Sequence, residues 1–433
     1  MSPELVGVLG LVILFILLFI NVPIGLAMIL IGFLGYCYFA GFGAAVPILG
    51  ISPFTTAKTY TFCVIPLFML MGEFAVNSGI TTNMYYTLNK WLGHLPGGLA
   101  MVTIGACAGF AAICGSSIAT AVTVGKIAFP EMKRYKYDDK LATGAIAVGG
   151  TLGILIPPSM NFIVYGIICE VSIGKLFMAG ILPGIMLTIL LIVTIYILTK
   201  KNPSFGPPGP KSTWSEKFKS TTHAWGILVL FVAVMGGIWT GIFTPTEAAG
   251  VGAFLAFIFV LIYKKCTKQS MIDSFKNTIK TTGMIFLLLI GATIFNYFMA
   301  VSKLPLALSN FVSGLAMPPM VILAVIILIY LILGCVMDTL SMLMLTLPII
   351  FPVTQILGFD GVWFGVIITL LTEVALITPP IGVNVFIIKG VAPEVPIKTV
   401  FVGIFPFFIT MMVALVILII FPEIVLFLPN LMG

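Results

Sequence analysis

Charge is scarce in this sequence. Asp, Glu, Lys and Arg make up 8% of its 433 residues, against about 25% in ordinary globular chains. So little charge cannot cover a water-facing surface, which excludes a soluble enzyme and a nucleic-acid binder. Arg134 is the one arginine among 21 basic residues, so no guanidinium lies within an apolar run to grip an anion. His94 and His223 are the two histidines, both at edges of apolar runs, which leaves little for a proton wire. Cysteine is odd in number at seven (Cys37, Cys63, Cys107, Cys114, Cys169, Cys266, Cys335) and lacks C-x-x-C spacing, so no disulfide or metal framework is implied. No phosphate-binding loop is present: Gly125-Lys126 is followed by Ile127 and lacks the upstream glycine, so ATP is not the direct energy source. The GxSG, GxGD and HExxH patterns of membrane proteases are missing too. Finally, the N-terminal stretch has Glu4, no basic segment and no small-residue cleavage site, so residues 4–20 read as a retained span.

What remains is apolar: 60% of residues are hydrophobic. Apolar runs fall at about 4–20, 24–40, 60–76, 98–129, 141–169, 176–199, 224–243, 248–263, 282–300, 319–351, 362–388 and 399–428. A helical span needs about 20 such residues, giving room for roughly a dozen passes of an all-α polytopic membrane protein. The net charge of +7 is not a nucleic-acid signal. Most of the basic residues sit in three loops: 131–140 (EMKRYKYDDK), 200–222 (KKNPSFGPPGPKSTWSEKFKSTT) and 264–280. The positive-inside rule places all three in the cytoplasm. An even number of apolar runs separates each loop from the next, so the placements agree. Prolines and glycines in 200–222 forbid a continuous helix there, and it reads as a linker.

The chain also repeats itself. Phe129-Pro130 recurs as Phe351-Pro352, an offset of 351 − 129 = 222, and Pro157-Pro158 recurs as Pro379-Pro380 at the same offset. Lys175 matches Lys398, and Gly180-Ile-Leu-Pro183 matches Gly403-Ile-Phe-Pro406, one residue later. The loop after Pro130 carries Lys133, Arg134, Lys136 and Lys140, whereas the loop after Pro352 has Asp360 and no basic residue. The two loops should therefore face opposite sides of the membrane. Inverted repeats of this kind are a common plan of secondary transporters.

Each repeat contains two interruptions. One is Cys114-Gly-Ser-Ser-Ile-Ala-Thr120, matched by Gly334-Cys-Val-Met-Asp-Thr-Leu-Ser341. The other is Gly149-Gly-Thr-Leu-Gly-Ile-Leu-Ile-Pro-Pro-Ser159, matched by Thr372-Glu-Val-Ala-Leu-Ile-Thr-Pro-Pro-Ile-Gly-Val-Asn384. The run 98–129 is long enough to enter and return on one side, with its tip near Ser116-Ser117. Tandem prolines remove backbone donors and push the preceding residue out of the helical region. Non-helical backbone at membrane depth persists only where protein or a water-filled cavity surrounds it. The pattern predicts two hairpins facing two broken helices. Freed carbonyls with Ser and Thr hydroxyls suit a hard cation, and half-helix N-termini suit an anion. A Pro-kinked helix without a ligand is the bland alternative; recurrence beside Gly-Ser-Ser and Asp-Thr favours a site. Sodium is the coupling ion this composition favours. An anionic substrate must then rely on helix dipoles, hydroxyls, Asn161 or Asn384, and bound cations.

The acidic residues divide. Asp338 lies within an apolar run on a repeated motif and is expected to work on ion or substrate, since intramembrane charge is expensive. Glu373, near the second double proline, could either stiffen the site or neutralise a cation. Thr244-Pro-Thr-Glu247 has the form of a capping box, a structural feature. Glu73 precedes Ser78-Gly79, an expected helix end, and Glu170 reads as solvated. The spacings Gly105-x-x-x-Gly109 and Gly149-x-x-x-Gly153 read as close helix packing.

Over nearly its whole length the sequence resembles the large membrane subunit of tripartite ATP-independent periplasmic (TRAP) transporters. The residues that carry the resemblance are Gly115-Ser-Ser-Ile-Ala-Thr-Ala, Gly-Thr-Leu-Gly-Ile-Leu-Ile-Pro-Pro-Ser ending at Ser159, and Phe243-Thr-Pro-Thr-Glu-Ala-Ala. The Gly334, Asp338, Pro348, Pro352 run and Thr378-Pro-Pro-Ile-Gly-Val-Asn complete it. The resemblance implies an elevator-type transporter in a bacterial inner membrane, importing an organic acid with sodium. It implies as partners a periplasmic substrate-binding protein and a small four-helix membrane subunit, expected to be a separate chain. Scaffold helices would occupy 1–96 and 223–317, the transport repeats 97–199 and 318–433, and the cytoplasmic linker 200–222. Carried onto this sequence, a first sodium site falls at Ser116, Ser117, Gly150, Gly153 and Pro157, and a second at Asp338, Thr339, Thr378, Pro379 and Gly382. Substrate would meet Ser117, Ser159, Asn161, Thr339 and Asn384. The sequence looks closest to the sialic-acid branch, with C4-dicarboxylates second, and no organic cofactor is expected. A stand-alone sodium:dicarboxylate or citrate symporter is the competing transporter; a channel or an intramembrane enzyme is the competitor from another class.

Overall fold

The computed structural model describes residues 1–315, 317–334, 337–379 and 382–432. Cys335 and Val336, in the second predicted hairpin tip, and Pro380 and Ile381, in the second double-proline segment, lie outside the described residues. Within them the regular elements are helices, with no strand. An apolar chain in lipid satisfies its backbone groups within each segment only as helix or closed barrel.

Ten helices position the site. The first set is α1 (Gly98–Cys114), α2 (Ser117–Arg134), α3 (Asp139–Leu155), α4 (Met160–Ile168) and α5 (Ile173–Lys201). The second is α6 (Pro319–Leu333), α7 (Thr339–Ile356), α8 (Gly361–Leu376), α9 (Val383–Val391) and α10 (Ile397–Ile420). Element by element the two sets have the same order and similar lengths: α2 and α7 each have 18 residues, α4 and α9 each have 9. Their packing is reciprocal. α3 lies on α10 and α8 on α5, while α9 meets α2 and α4 meets α7. Around them, Ile24–Ala40 packs along Lys268–Ser302, and Val64–Ser78 along Pro245–Ile262.

Six described helices are long and apolar enough to cross a membrane, or up to eight if each bent pair is one span. Twelve apolar runs give fewer straight crossings for a physical reason. The runs 98–129 and 319–351 each fold back into two helices, and 141–169 and 362–388 each break in the middle. Pro3–Phe19 and Ile24–Ala40 have 17 residues each, about 25 Å at 1.5 Å per residue, just short of a hydrocarbon core of about 30 Å. The linker is more ordered than its prolines suggest. Past Pro210, Trp214–Thr221 forms a helix started by a capping box, in which Thr213 Oγ1 accepts from Glu216 N at 3.3 Å and Glu216 Oε2 accepts from Thr213 N at 2.8 Å. Phe218 and Trp91 pack edge to face across it.

Candidate functional site

The first hairpin turns in two residues. Gly115 adopts φ +64° and Ser116 is extended. Ser116 Oγ then caps α2 by accepting from Ala119 N at 3.3 Å. A side chain would not fit at Gly115, because a Cβ there would stand 2.6 Å from the Pro158 carbonyl oxygen. The tip is thus seated against the break between α3 and α4, and Met160 N donates to Gly115 O at 3.4 Å. The Pro157-Pro158 peptide bond is cis. Having no N–H, these two prolines leave the carbonyls of Gly153 and Ile154 without their usual helical donors. Gly153 faces the tip so closely that a Cβ would lie 2.5 Å from Ser116 O, and Gly150 abuts the Ser117 carbonyl. Ser116, Ser117, Gly150, Gly153 and the Pro157-Pro158 turn therefore converge. Ser159, fully buried, spends its hydroxyl as the cap of α4, accepting from Phe162 N at 3.4 Å.

The second tip is arranged differently. Asp338 is the N-cap of α7: its carboxylate accepts from Ser341 N at 3.2 Å and from the Ser341 hydroxyl. It lines a cavity of about 330 Å³ together with Asn21, Pro23, Met337 and Ser341, beneath the loop joining Pro3–Phe19 to Ile24–Ala40. Thr339 is buried at the start of α7, and Gly334 lies against Ala375 near the end of α8. In the break itself Thr378 N donates to Ala375 O at 3.1 Å and Thr378 Oγ1 to Val374 O at 2.7 Å. Gly382, at φ +57°, begins α9. Among the described residues the Asp338 side chain bonds to Ser341, not to Thr378 or Gly382. Pro379 adjoins the undescribed Pro380, so this break is described from Ile377 to Pro379 and again from Gly382.

A buried polar seam joins the two sets. Asn161 and Asn384 each occupy the second residue of a short helix, α4 and α9, and both are fully buried. Asn161 Nδ2 donates to Thr372 Oγ1 on α8 at 3.2 Å, leaving its Oδ1 without a partner. Asn384 has no partner at either amide atom. Next to Thr372, Glu373 is fully buried, neither of its oxygens is hydrogen-bonded, and the Ser117 hydroxyl faces it. Thr372 opens the second break motif but was given no site role from sequence, since a threonine in an apolar run carries no distinguishing mark. Glu373 carried the one available signal, a carboxylate inside the run 362–388.

Two other acidic residues are structural. Glu247 completes the capping box with Thr244, whose Oγ1 accepts from Glu247 N at 3.3 Å. Glu73 accepts from Asn277 Nδ2 at 3.2 Å, five residues before Ser78 ends its helix and Gly79 turns left-handed. A larger groove of about 660 Å³ is lined by residues such as Met84, Gly109, Ile185 and Trp225 and is almost wholly apolar, so it offers an organic anion little to bind.

Comparison with known proteins agrees with this geometry. The family model described as "Tripartite ATP-independent periplasmic transporter, DctM component" matches residues 11–424. The chain is 36% identical to the C4-dicarboxylate TRAP transporter large permease protein DctM of Pseudomonas aeruginosa, covering 89% of this chain and 90% of that one. It is 33% identical to the sialic acid TRAP transporter large permease protein SiaM of Vibrio cholerae, covering 96% of each. Among solved structures, the Alcanivorax borkumensis YdaH transporter shares the fold at a TM-score of 0.62 and 16% identity, over 88% of this chain and 90% of that one. An apolar, all-helical chain with these relatives belongs to the tripartite ATP-independent periplasmic transporter family, as its DctM, or large permease, component.

Proposed function

We propose that this protein carries an organic acid anion across the bacterial inner membrane together with sodium ions, two or more per cycle. A periplasmic binding protein would deliver the anion, and a small four-helix membrane subunit would complete the scaffold. The observation that carries the reading is the meeting of the Gly115-Ser116-Ser117 tip with the Pro157-Pro158 break. Carbonyls freed by proline and the Ser117 hydroxyl would supply neutral oxygens there, the ligand type that a hard, weakly held cation needs. Asp338 and Thr339, with Thr378, Pro379 and Gly382, would form the second sodium site. The unpartnered amide of Asn384, at a half-helix N-terminus, suits a carboxylate through its N–H groups.

The two five-helix sets would be inverted repeats forming one mobile transport unit that moves as an elevator against the remaining helices. Supporting this are the repeated helix order, the reciprocal packing of α3 on α10 and α8 on α5, and the basic loop after α2 against Asp360 after α7. Among substrates, sialic acid is tested first and C4-dicarboxylates second. In proteoliposomes holding this chain and its small subunit, uptake should require an inward sodium gradient and the binding protein. Ser116→Ala or Asp338→Ala should abolish it while membrane insertion persists. Normal uptake in both variants would refute the assigned ion sites, and uptake by this chain alone would mark a stand-alone symporter.

A further inference from the structure

We propose that Glu373 supplies the negative charge for the cation held at the Ser116-Ser117 tip, so that this site is built jointly by both five-helix sets. The inference rests on the sodium reading above and adds to it a ligand from the opposite set.

Three observations converge on Glu373. It is fully buried, with no hydrogen bond to either oxygen. The ion pairs among the described residues, Lys90–Glu216, Lys133–Asp139 and Arg134–Glu131, lie elsewhere. The Ser117 hydroxyl, at the first position of α2, faces its carboxyl. Its register is fixed from next door, because Thr372 is held by Asn161 Nδ2 at 3.2 Å. Two consecutive residues of α8 thus reach across to the two irregular points of the first set, the hairpin tip and the start of α4.

A buried carboxylate must be neutral or matched by a positive charge. The N-terminus of α2 presents roughly half an elementary charge, which cannot balance a whole one. A monovalent cation beside Ser117 can. The converse holds for the ion. Carbonyls of Gly153 and Ile154 with one hydroxyl coordinate sodium but leave its charge uncancelled in a lipid-buried core, where net charge is disfavoured. Glu373 cancels it, and the loaded site becomes electrically neutral.

Thermal unfolding of the purified full-length chain, titrated with sodium chloride at constant ionic strength against choline chloride, tests this. A ligand that binds the folded state raises stability with concentration. For the unaltered chain, sodium should raise the melting temperature. In Glu373→Gln the sodium concentration for half of that rise should increase at least tenfold, while the melting temperature in choline stays equal or rises. A merely structural role for Glu373 would lower the choline value instead. Glu373→Asp keeps the charge and withdraws it by one methylene, so it should shift the midpoint several-fold; it also serves if the Gln variant does not fold. An unchanged midpoint in both variants overturns the proposal. If the unaltered chain itself ignores sodium, the sodium reading fails first, and that result is distinguishable from the others.

Discussion

Glycine 115 and threonine 372 show how single atoms decide this site. At Gly115, φ of +64° costs an L side chain about 1–2 kcal/mol, and a Cβ would press on the Pro158 oxygen at 2.6 Å. Gly115→Val should therefore unseat the tip from the break, with sodium-dependent uptake falling at least tenfold in vesicles that still contain the protein. Thr372→Val keeps the volume and removes the acceptor of the Asn161 amide, leaving a buried donor unpaired at a cost of about 1–3 kcal/mol. The melting temperature in choline should drop; an unchanged value would mean that the seam does not hold the two sets together. Gly-Ser-Ser at 115–117 was legible in the sequence because small polar residues interrupt an apolar run. Thr372 was not, because a buried threonine can equally bond its own helix, as Thr372 also does to Thr369 O at 2.8 Å.

Capping letters mark several helix starts in this chain. The Pro157-Pro158 pair separates α3 from α4 with a 41° bend, whereas single prolines such as Pro130 and Pro183 sit inside continuous helices. The box of Thr244 and Glu247 was readable from four letters, and Thr244→Ala should cost about 1 kcal/mol, read as a lower unfolding temperature with no change in the sodium midpoint. The breaks are less passive. Replacing Pro157 and Pro158 together by alanine restores two N–H donors opposite the Gly153 and Ile154 carbonyls. If those carbonyls hold the ion, the double variant should lose sodium-dependent uptake while remaining inserted; undiminished uptake would show that the freed carbonyls are not ligands. The linker was read only in part. Its prolines and glycines allow only one 3-10 turn, Pro203–Phe205, before 211, but Thr213 and Glu216 start an α-helix after them, a capping signature that its basic, glycine-rich surroundings obscured.

For the molecule as a whole, handedness across the membrane is the quantity to measure. Tyr135 follows α2 and Leu357 follows α7, at corresponding places in the two sets. In a cysteine-free background, Tyr135→Cys and Leu357→Cys should react with an impermeant thiol reagent from opposite sides; reaction from one side would dismiss the inverted relation. Reciprocal packing makes such an arrangement economical in surface, since each broken helix covers the returning arm of the other set's hairpin.

Composition alone determined the solvent of this protein, because 8% charge cannot be hydrated over a folded surface. Motif order alone determined the Gly115-Ser116 tip and the Pro157-Pro158 break, because proline and glycine act on the backbone locally, whatever surrounds them. Which side chains meet across the sets is another matter. Ser117 and Glu373 stand far apart in sequence, and no local propensity links them. Their approach is set by how α8 packs on α3 and α4, a long-range outcome that only the folded chain expresses.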